Sequence, residues 1–193
     1  MYQKRNNELE VIDLYRGNYK ARFYLRQISK LSKLPLKTCQ NALIKLEKNK
    51  ILKGKTEGRN KYFILNIDNI QAKSLILQSE IYKTSKFIDD CPQFKTFLKS
   101  LNTNIPVILF GSFAKLREEK KSDIDMLVIS EKETNLPSHL LSNKIHKINL
   151  SESSFKKAIE EKETIIEEIE ENHIILNNHS FYVNVMWNHY GKR

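Results

Sequence analysis

Gly111-Ser112-Phe113-Ala114-Lys115-Leu116-Arg117-Glu118-Glu119-Lys120-Lys121-Ser122-Asp123-Ile124-Asp125-Met126-Leu127-Val128 is the stretch on which the reading of this chain turns. Val107-Ile108-Leu109-Phe110, a short apolar run behind Pro106 and stopped by a glycine, predicts a central strand leading into it. Gly111 has no Cβ, so the chain can turn sharply there and bring backbone close to a ligand. Ser112-Phe113-Ala114-Lys115 can then open a helix, whose first amides lack internal partners and favour an anion. A triphosphate is the expected anion.

In the run that follows, side chains alternate faces, so Asp123 and Asp125 point one way while Ile124, Met126 and Val128 point the other. Carboxylates two apart on a strand sit roughly 7 Å apart at the α-carbons, near enough to converge on shared cations. Two-metal sites hold their ions about 3.5 to 4 Å apart, clamping the attacking and leaving oxygens of an in-line phosphoryl displacement. Oxygen ligands select magnesium or manganese. A solvated surface turn is the plainer reading of Ser-Asp-Ile-Asp, but Met126-Leu127-Val128-Ile129 follows at once and marks a strand buried on both faces. Two like charges there repel and cost desolvation unless a cation joins them.

Gly-Ser, an interval of eleven positions from Ser112 to Asp123, and Ser-Asp-x-Asp with a hydrophobic tail resemble the DNA polymerase beta-like nucleotidyltransferase superfamily. The likeness is strongest to its small prokaryotic members, the minimal nucleotidyltransferases. The motif spans eighteen residues, and a weaker resemblance runs from about Ile105 to the C-terminus. The resemblance implies that Gly111 and Ser112, with Lys115 and Ser122, bind the nucleotide. It implies that Asp123 and Asp125 are catalytic and hold Mg2+ (or Mn2+). It further implies AMP transfer from ATP, a nucleoside triphosphate, to a protein or RNA acceptor, as antitoxins of this family modify a partner toxin. Two positions depart from the pattern. Small members carry glycine where this chain has Leu116. They also supply a third carboxylate from a later strand, here the run Lys144-Ile145-His146-Lys147-Ile148-Asn149-Leu150, which has no acid and offers His146 or Asn149 instead. The competing reading is a DNA-binding transcriptional regulator whose transferase domain senses nucleotide or is a silent relic.

A chain of 193 residues allows one or two domains with a sizeable core. Hydrophobic residues at 40% against 29% charged set it apart from disordered chains. No apolar stretch approaches the ~20 residues that span a bilayer, and Met1-Tyr2-Gln3-Lys4-Arg5 leads into no signal-type segment. A cytoplasmic protein with no membrane partner is expected. Cys39 and Cys91 lack any CxxC spacing and read as reduced core thiols. Charge is the informative part of the composition: residues 1–66 hold 16 Lys/Arg against 5 Asp/Glu, and the remainder 17 against 18. A basic module that meets a polyanion, joined to a nearly neutral one, follows from that asymmetry.

The pattern along the chain predicts an α+β protein. Helices are expected at Asn7–Tyr15, at Leu25–Leu31 with Leu25, Ile28 and Leu31 inward, and at Pro35–Lys48, where proline suits the first turn. Arg22-Phe23-Tyr24 reads as a short strand. In the third helix Cys39, Ala42, Leu43 and Leu46 recur at core spacing, leaving Lys37, Gln40, Asn41, Ile44 and Lys45 outward. Two strand-like runs then flank the basic loop Gly54-Lys55-Thr56-Glu57-Gly58-Arg59-Asn60. This order resembles a winged helix-turn-helix, which implies a duplex DNA partner, with the third helix in the major groove and the wing on the backbone or minor groove. Lys37, Gln40, Asn41 and Lys45 then meet bases and phosphates, with Lys55 and Arg59 on the wing. RNA and a dimerisation role stay open for this module.

Residues 68–89 read as a long linking helix that either packs on a domain or pairs with its copy in a homodimer. A short helix, Gln93–Ser100, leads into the motif. Phe155–Glu171 reads as one amphipathic helix, with Lys162 among the inward positions. Phe181, Val183, Val185 and Trp187 alternate as in a strand, whereas the small family members finish with a helix, and both stay open. The expected organisation is residues 1–66 as winged helix-turn-helix, 67–102 as linking helices, and 103–193 as the nucleotidyltransferase domain, a mixed sheet flanked by helices.

Overall fold

Asn6 starts the described chain as a helix cap: its side-chain oxygen accepts the N–H groups of Glu8 and Leu9, two of the donors a helix start leaves unpaired. In this computed structural model residues 6–101, 104–115 and 122–191 are described. They form two compact units, one comprising residues up to Ser79 with Tyr190 and Gly191, the other Glu80–His189.

The first unit begins with α1 (Asn7–Ile12) and a 3-10 turn, followed by β1 (Arg22–Tyr24), α2 (Leu25–Ser32) and α3 (Leu36–Lys48). Pro35 stands immediately before α3 at φ −56°, a value its ring imposes. The hairpin β2 (Leu52–Glu57) and β3 (Asn60–Leu65) turns at Gly58, whose φ of +59° suits a residue without Cβ. β1 pairs with the other edge of β3, giving an antiparallel sheet in the order β1-β3-β2. Cys39, Ala42, Leu43 and Leu46 of α3 are buried, in the pattern their spacing predicts. Leu31 is not: it is 52% exposed. The inward stripe of α2 runs instead through Ile28 and Ser32, one helical turn apart, and the buried Ser32 hydroxyl donates to the Ile28 carbonyl at 2.6 Å.

α4 (Ile70–Asp90) carries the chain into the second unit, which continues with α5 (Gln93–Ser100), β4 (Val107–Phe110) and α6 (Gly111–Ala114). Then come β5 (Ile124–Ile129), β6 (Ile145–Leu150), α7 (Glu152–Glu161), α8 (Thr164–Glu171), β7 (His173–Asn177) and α9 (His179–Gly191). The mixed sheet has the order β6-β5-β4-β7, with β5 and β6 parallel and the other neighbours antiparallel. β4 is buried along its whole length, as its unbroken apolar sequence requires of a central strand. On one sheet face Val107, Leu109, Ile124, Met126, Val128, Ile174 and Leu176 pack with Phe87, Phe94 and Phe97. Cys39 is buried and Cys91 half-buried, both free thiols, and burial followed by the Asp90 charge pushes Cys91 up.

Two elements correct or decide the sequence reading. The single helix expected over Phe155–Glu171 is two, because Lys162 turns left-handed at φ 53° and Glu163 is extended. A lysine at a would-be core position cannot be buried cheaply, and it is exposed at the break instead. The last element is a helix: Tyr182, Val183, Met186 and Trp187 are buried, a helical spacing, so the alternation from Phe181 to Trp187 was incidental. No described helix is long and apolar enough to cross a membrane.

Candidate functional site

β4 and β5 lie antiparallel with Phe110 opposite Asp125, so the chain leaves β4 at Gly111 directly beside the Asp125 carboxylate. Gly111 has φ +71°, and a Cβ placed there would stand 2.5 Å from Asp125 Oδ2. The positive φ favours glycine, and a Cβ there would force the Asp125 carboxylate to shift. Asp125 is the one β5 residue that is not buried, its side chain 29% exposed. β5 begins at Ile124, so Asp123 stands exposed one residue before the strand.

Ser112 is exposed in α6, a single turn of four residues, too short for an appreciable helix dipole. Any anion here meets individual amides and the hydroxyl. Lys115 follows, its Nζ 3.1 Å from Glu171 Oε2 in α8. Ser122 is half-buried, and its carbonyl accepts from the Asn143 side chain at 3.1 Å. Leu116 lies outside the described residues.

Parallel pairing of β5 with β6 sets His146 beside Asp125, with Nδ1 3.2 Å from Oδ1. Of the two polar candidates in that run, His146 therefore reaches the site. Asn149 is placed opposite Val128 and donates to the Ser130 carbonyl at 3.0 Å. Among the described residues no group of three His, Cys, Asp or Glu side chains is placed to hold a metal ion. Magnesium does not require one, since it is commonly held by one or two carboxylates plus waters and substrate phosphates. The oxygens of Asp123 and Asp125, with Oδ2 of the latter facing the Gly111 turn, fit that ligand chemistry.

In the first unit, Lys37, Gln40, Asn41, Ile44 and Lys45 are all exposed on α3. A groove of about 840 Å³ brings Gln40 and Ile44 together with Arg59 of the hairpin turn. Arg26 and Lys61 line the same groove, and sequence reasoning had not singled them out. Lys61 could have been found from the hairpin register, which sets it beside the turn opposite Thr56. Asn41, Ile44 and Lys45 line a second groove with Thr38, Asn6 and Glu8. Lys37 and Lys55 line neither of these two grooves. Three acids on this side have cationic neighbours: Glu8 is 3.4 Å from Lys45, Glu47 is 2.7 Å from Lys61, and Glu57 pairs with Arg22 and, at 3.2 Å, with Lys55. The Arg22 bond, aided by Lys55, holds the Glu57 carboxyl below the usual carboxylate range.

No curated protein and no solved structure matches the chain. Residues 91–177, which run from just before α5 through β7 and hold the Gly111 turn, β5 and β6, match the family model of the nucleotidyltransferase domain, and that match supports a nucleotidyl-transfer function.

Proposed function

We propose that the chain is a nucleotidyltransferase that moves a nucleoside monophosphate, AMP from ATP, to a hydroxyl of a protein or RNA acceptor, and that its first unit is a winged helix that binds duplex DNA. The observation that carries the catalytic reading is the juxtaposition at Gly111: a left-handed glycine whose missing Cβ leaves room for the Asp125 carboxylate. Structural economy alone does not call for a carboxylate there, because an apolar residue on β5 would fill the space without the desolvation cost.

In this reading the acceptor oxygen attacks the α-phosphorus in line, the bond to the bridging oxygen breaks, pyrophosphate leaves, and the acceptor proton passes to solvent. The bare backbone of Gly111 lets phosphate approach, and the exposed Ser112 hydroxyl donates to it. Lys115 exchanges Glu171 for a phosphate oxygen; both groups are partly exposed, so the pair is weak enough to open. Asp123 and Asp125 hold the divalent cation, which supplies positive charge against the phosphate oxygens. With Nδ1 protonated, His146 donates to Asp125 Oδ1 and fixes the rotation of that carboxylate. Catalysis of this kind is chiefly positioning and charge neutralisation.

A second reading, a DNA-binding regulator whose transferase domain senses nucleotide without transferring it, is favoured by one observation. β6 presents an imidazole, not an acid, beside Asp125. Thermal unfolding with each triphosphate, with and without Mg2+ or Mn2+, and label transfer from α-labelled triphosphate decide between the two. A ligand at a hundredfold its Kd adds about 2.7 kcal/mol, a rise in Tm of roughly 5 to 10 °C for a chain of this size. Transfer reading expects a metal-dependent shift and a labelled acceptor with wild type, and neither with Asp123→Asn plus Asp125→Asn. A shift with no labelled product in any extract supports the regulator, and no shift at all sinks both nucleotide readings.

A further inference from the structure

We infer that Ile44 determines sequence specificity on the DNA-binding face by contacting the 5-methyl group of a thymine in the major groove, an inference that rests on the DNA-binding reading above. Ile44 is 57% exposed on α3, the most exposed of the large apolar residues on α2 and α3. It is also the side chain that lines both grooves flanking that helix. One turn before it stands Gln40, beside it Lys45, and across the first groove Arg59. Single exposed apolar residues are ordinary on protein surfaces and need no explanation. This one differs in its company: it stands on the most basic third of the chain, sharing its grooves with Gln40, Asn41, Lys45, Arg59 and Lys61 as well as with apolar residues such as Leu25 and Phe63, while Glu8 and Glu47, which line the same grooves, are each paired with a lysine.

An acidic duplex matches that charge, and the major groove offers one apolar group for a branched aliphatic side chain to meet, the thymine methyl. Isoleucine, branched at Cβ and held to few χ1 rotamers in a helix, loses little freedom in making the contact. Four positions along a helix advance about 6 Å, against about 3.4 Å per base pair. A thymine read by Ile44 therefore lies within two base-pair steps of an adenine read by the Gln40 amide. A protein partner for the same face has the exposed isoleucine and the apolar lining of the groove in its favour, but would need an acidic surface to approach.

The test uses the full chain. The tightest duplexes are selected from a randomised pool by the wild type, then remade with each dT replaced singly by dU, which removes the methyl group alone. At one or two positions wild type should lose about fourfold in affinity, the worth of one buried methyl. Ile44→Ala, at an exposed site with a good helix former, should bind those positions equally with and without the methyl, and Ile44→Val should keep the sensitivity. The slope of affinity against salt should be the same for all three. Salt-dependent binding with a flat methyl profile, or one that Ile44→Ala leaves unchanged, overturns the inference and leaves the DNA reading standing. Absence of salt-dependent duplex binding overturns both. A wild-type dimer that Ile44→Ala converts to monomer in sedimentation, with methyl sensitivity unaltered, assigns the residue to a protein contact and overturns the inference as well.

Discussion

Tyr15 closes the 3-10 turn after α1, and its buried hydroxyl donates to the Phe63 carbonyl of β3 at 3.0 Å. Burial pushes its phenol well above the ordinary range, because the phenolate would be desolvated. The folded protein therefore keeps a proton that the unfolded chain releases near pH 10. Stability is fully present below that pH and falls as pH rises through and beyond it. Tyr15→Phe should cost about 1 kcal/mol at neutral pH for the lost hydrogen bond, yet decline less steeply than wild type between pH 9 and 11 in urea titrations. Parallel curves for the two proteins would show that other groups govern alkaline unfolding. The same distance between type and contact applies at the candidate site. Gly111 and Asp125 could be named from the sequence because their residue types and order are characteristic. Their juxtaposition, close enough that a Cβ on residue 111 would stand 2.5 Å from Asp125 Oδ2, depends on the β4–β5 register, which no local pattern encodes. Nor could the sequence choose between His146 and Asn149, since that choice is made by the pairing of β5 with β6.

Within the second unit, α4 and β7 are joined by polar contacts between residues far apart in the chain. Glu80 Oε1 lies 3.1 Å from His173 Nε2, both side chains almost wholly enclosed, while His173 Nδ1 donates to the Ile169 carbonyl at 2.6 Å. Four residues along α4, the Thr84 hydroxyl donates to the Ile175 carbonyl of β7 at 2.7 Å. Removing the carboxylate takes this partner from the buried His173 Nε2, so Glu80→Ala should lower stability by about 1 to 3 kcal/mol. Glu80→Gln, which keeps a carbonyl oxygen for His173, should cost clearly less. Urea midpoints at constant m-value measure both, and equal losses would mean the packing of the side chain matters and its oxygen does not. This link had no signal in the sequence, whereas α3 and α5 did through their helical periodicity and β4 through its unbroken apolar run. Prediction failed, or was left open, where one pattern fitted two structures. The apolar positions from Phe155 to Ile169 suit an unbroken helix until Lys162 is placed at its core, and the residues from Phe181 to Trp187 suit strand and helix alike.

Across the whole molecule the dominant feature is where the charge lies, and it was legible from composition alone. Residues 1–66 carry 16 cationic against 5 acidic side chains, and the described part of that segment folds as three helices and a three-stranded sheet with exposed lysines on α3 and exposed cations on the hairpin. If this unit docks on duplex DNA as proposed, each lysine or arginine that meets a phosphate releases a counterion, and the logarithm of affinity falls with the logarithm of salt by about 0.9 per contact. Four such contacts, from Lys37, Lys45, Lys55 and Arg59, give a slope near −3.6, a loss of roughly a hundredfold between 50 and 200 mM salt. Lys45 and Lys55 must first leave Glu8 and Glu57, but these pairs involve exposed lysines and cost under about 1 kcal/mol to open. Replacing any one of the four by alanine should therefore flatten the slope by about one and weaken binding to every duplex alike. Substituting Lys132 or Lys156 of the second unit, both exposed, should leave it unchanged. Filter binding across a salt series reads both quantities; a slope insensitive to the α3 and hairpin cations but altered by those of the second unit would move the polyanion to the other half of the chain.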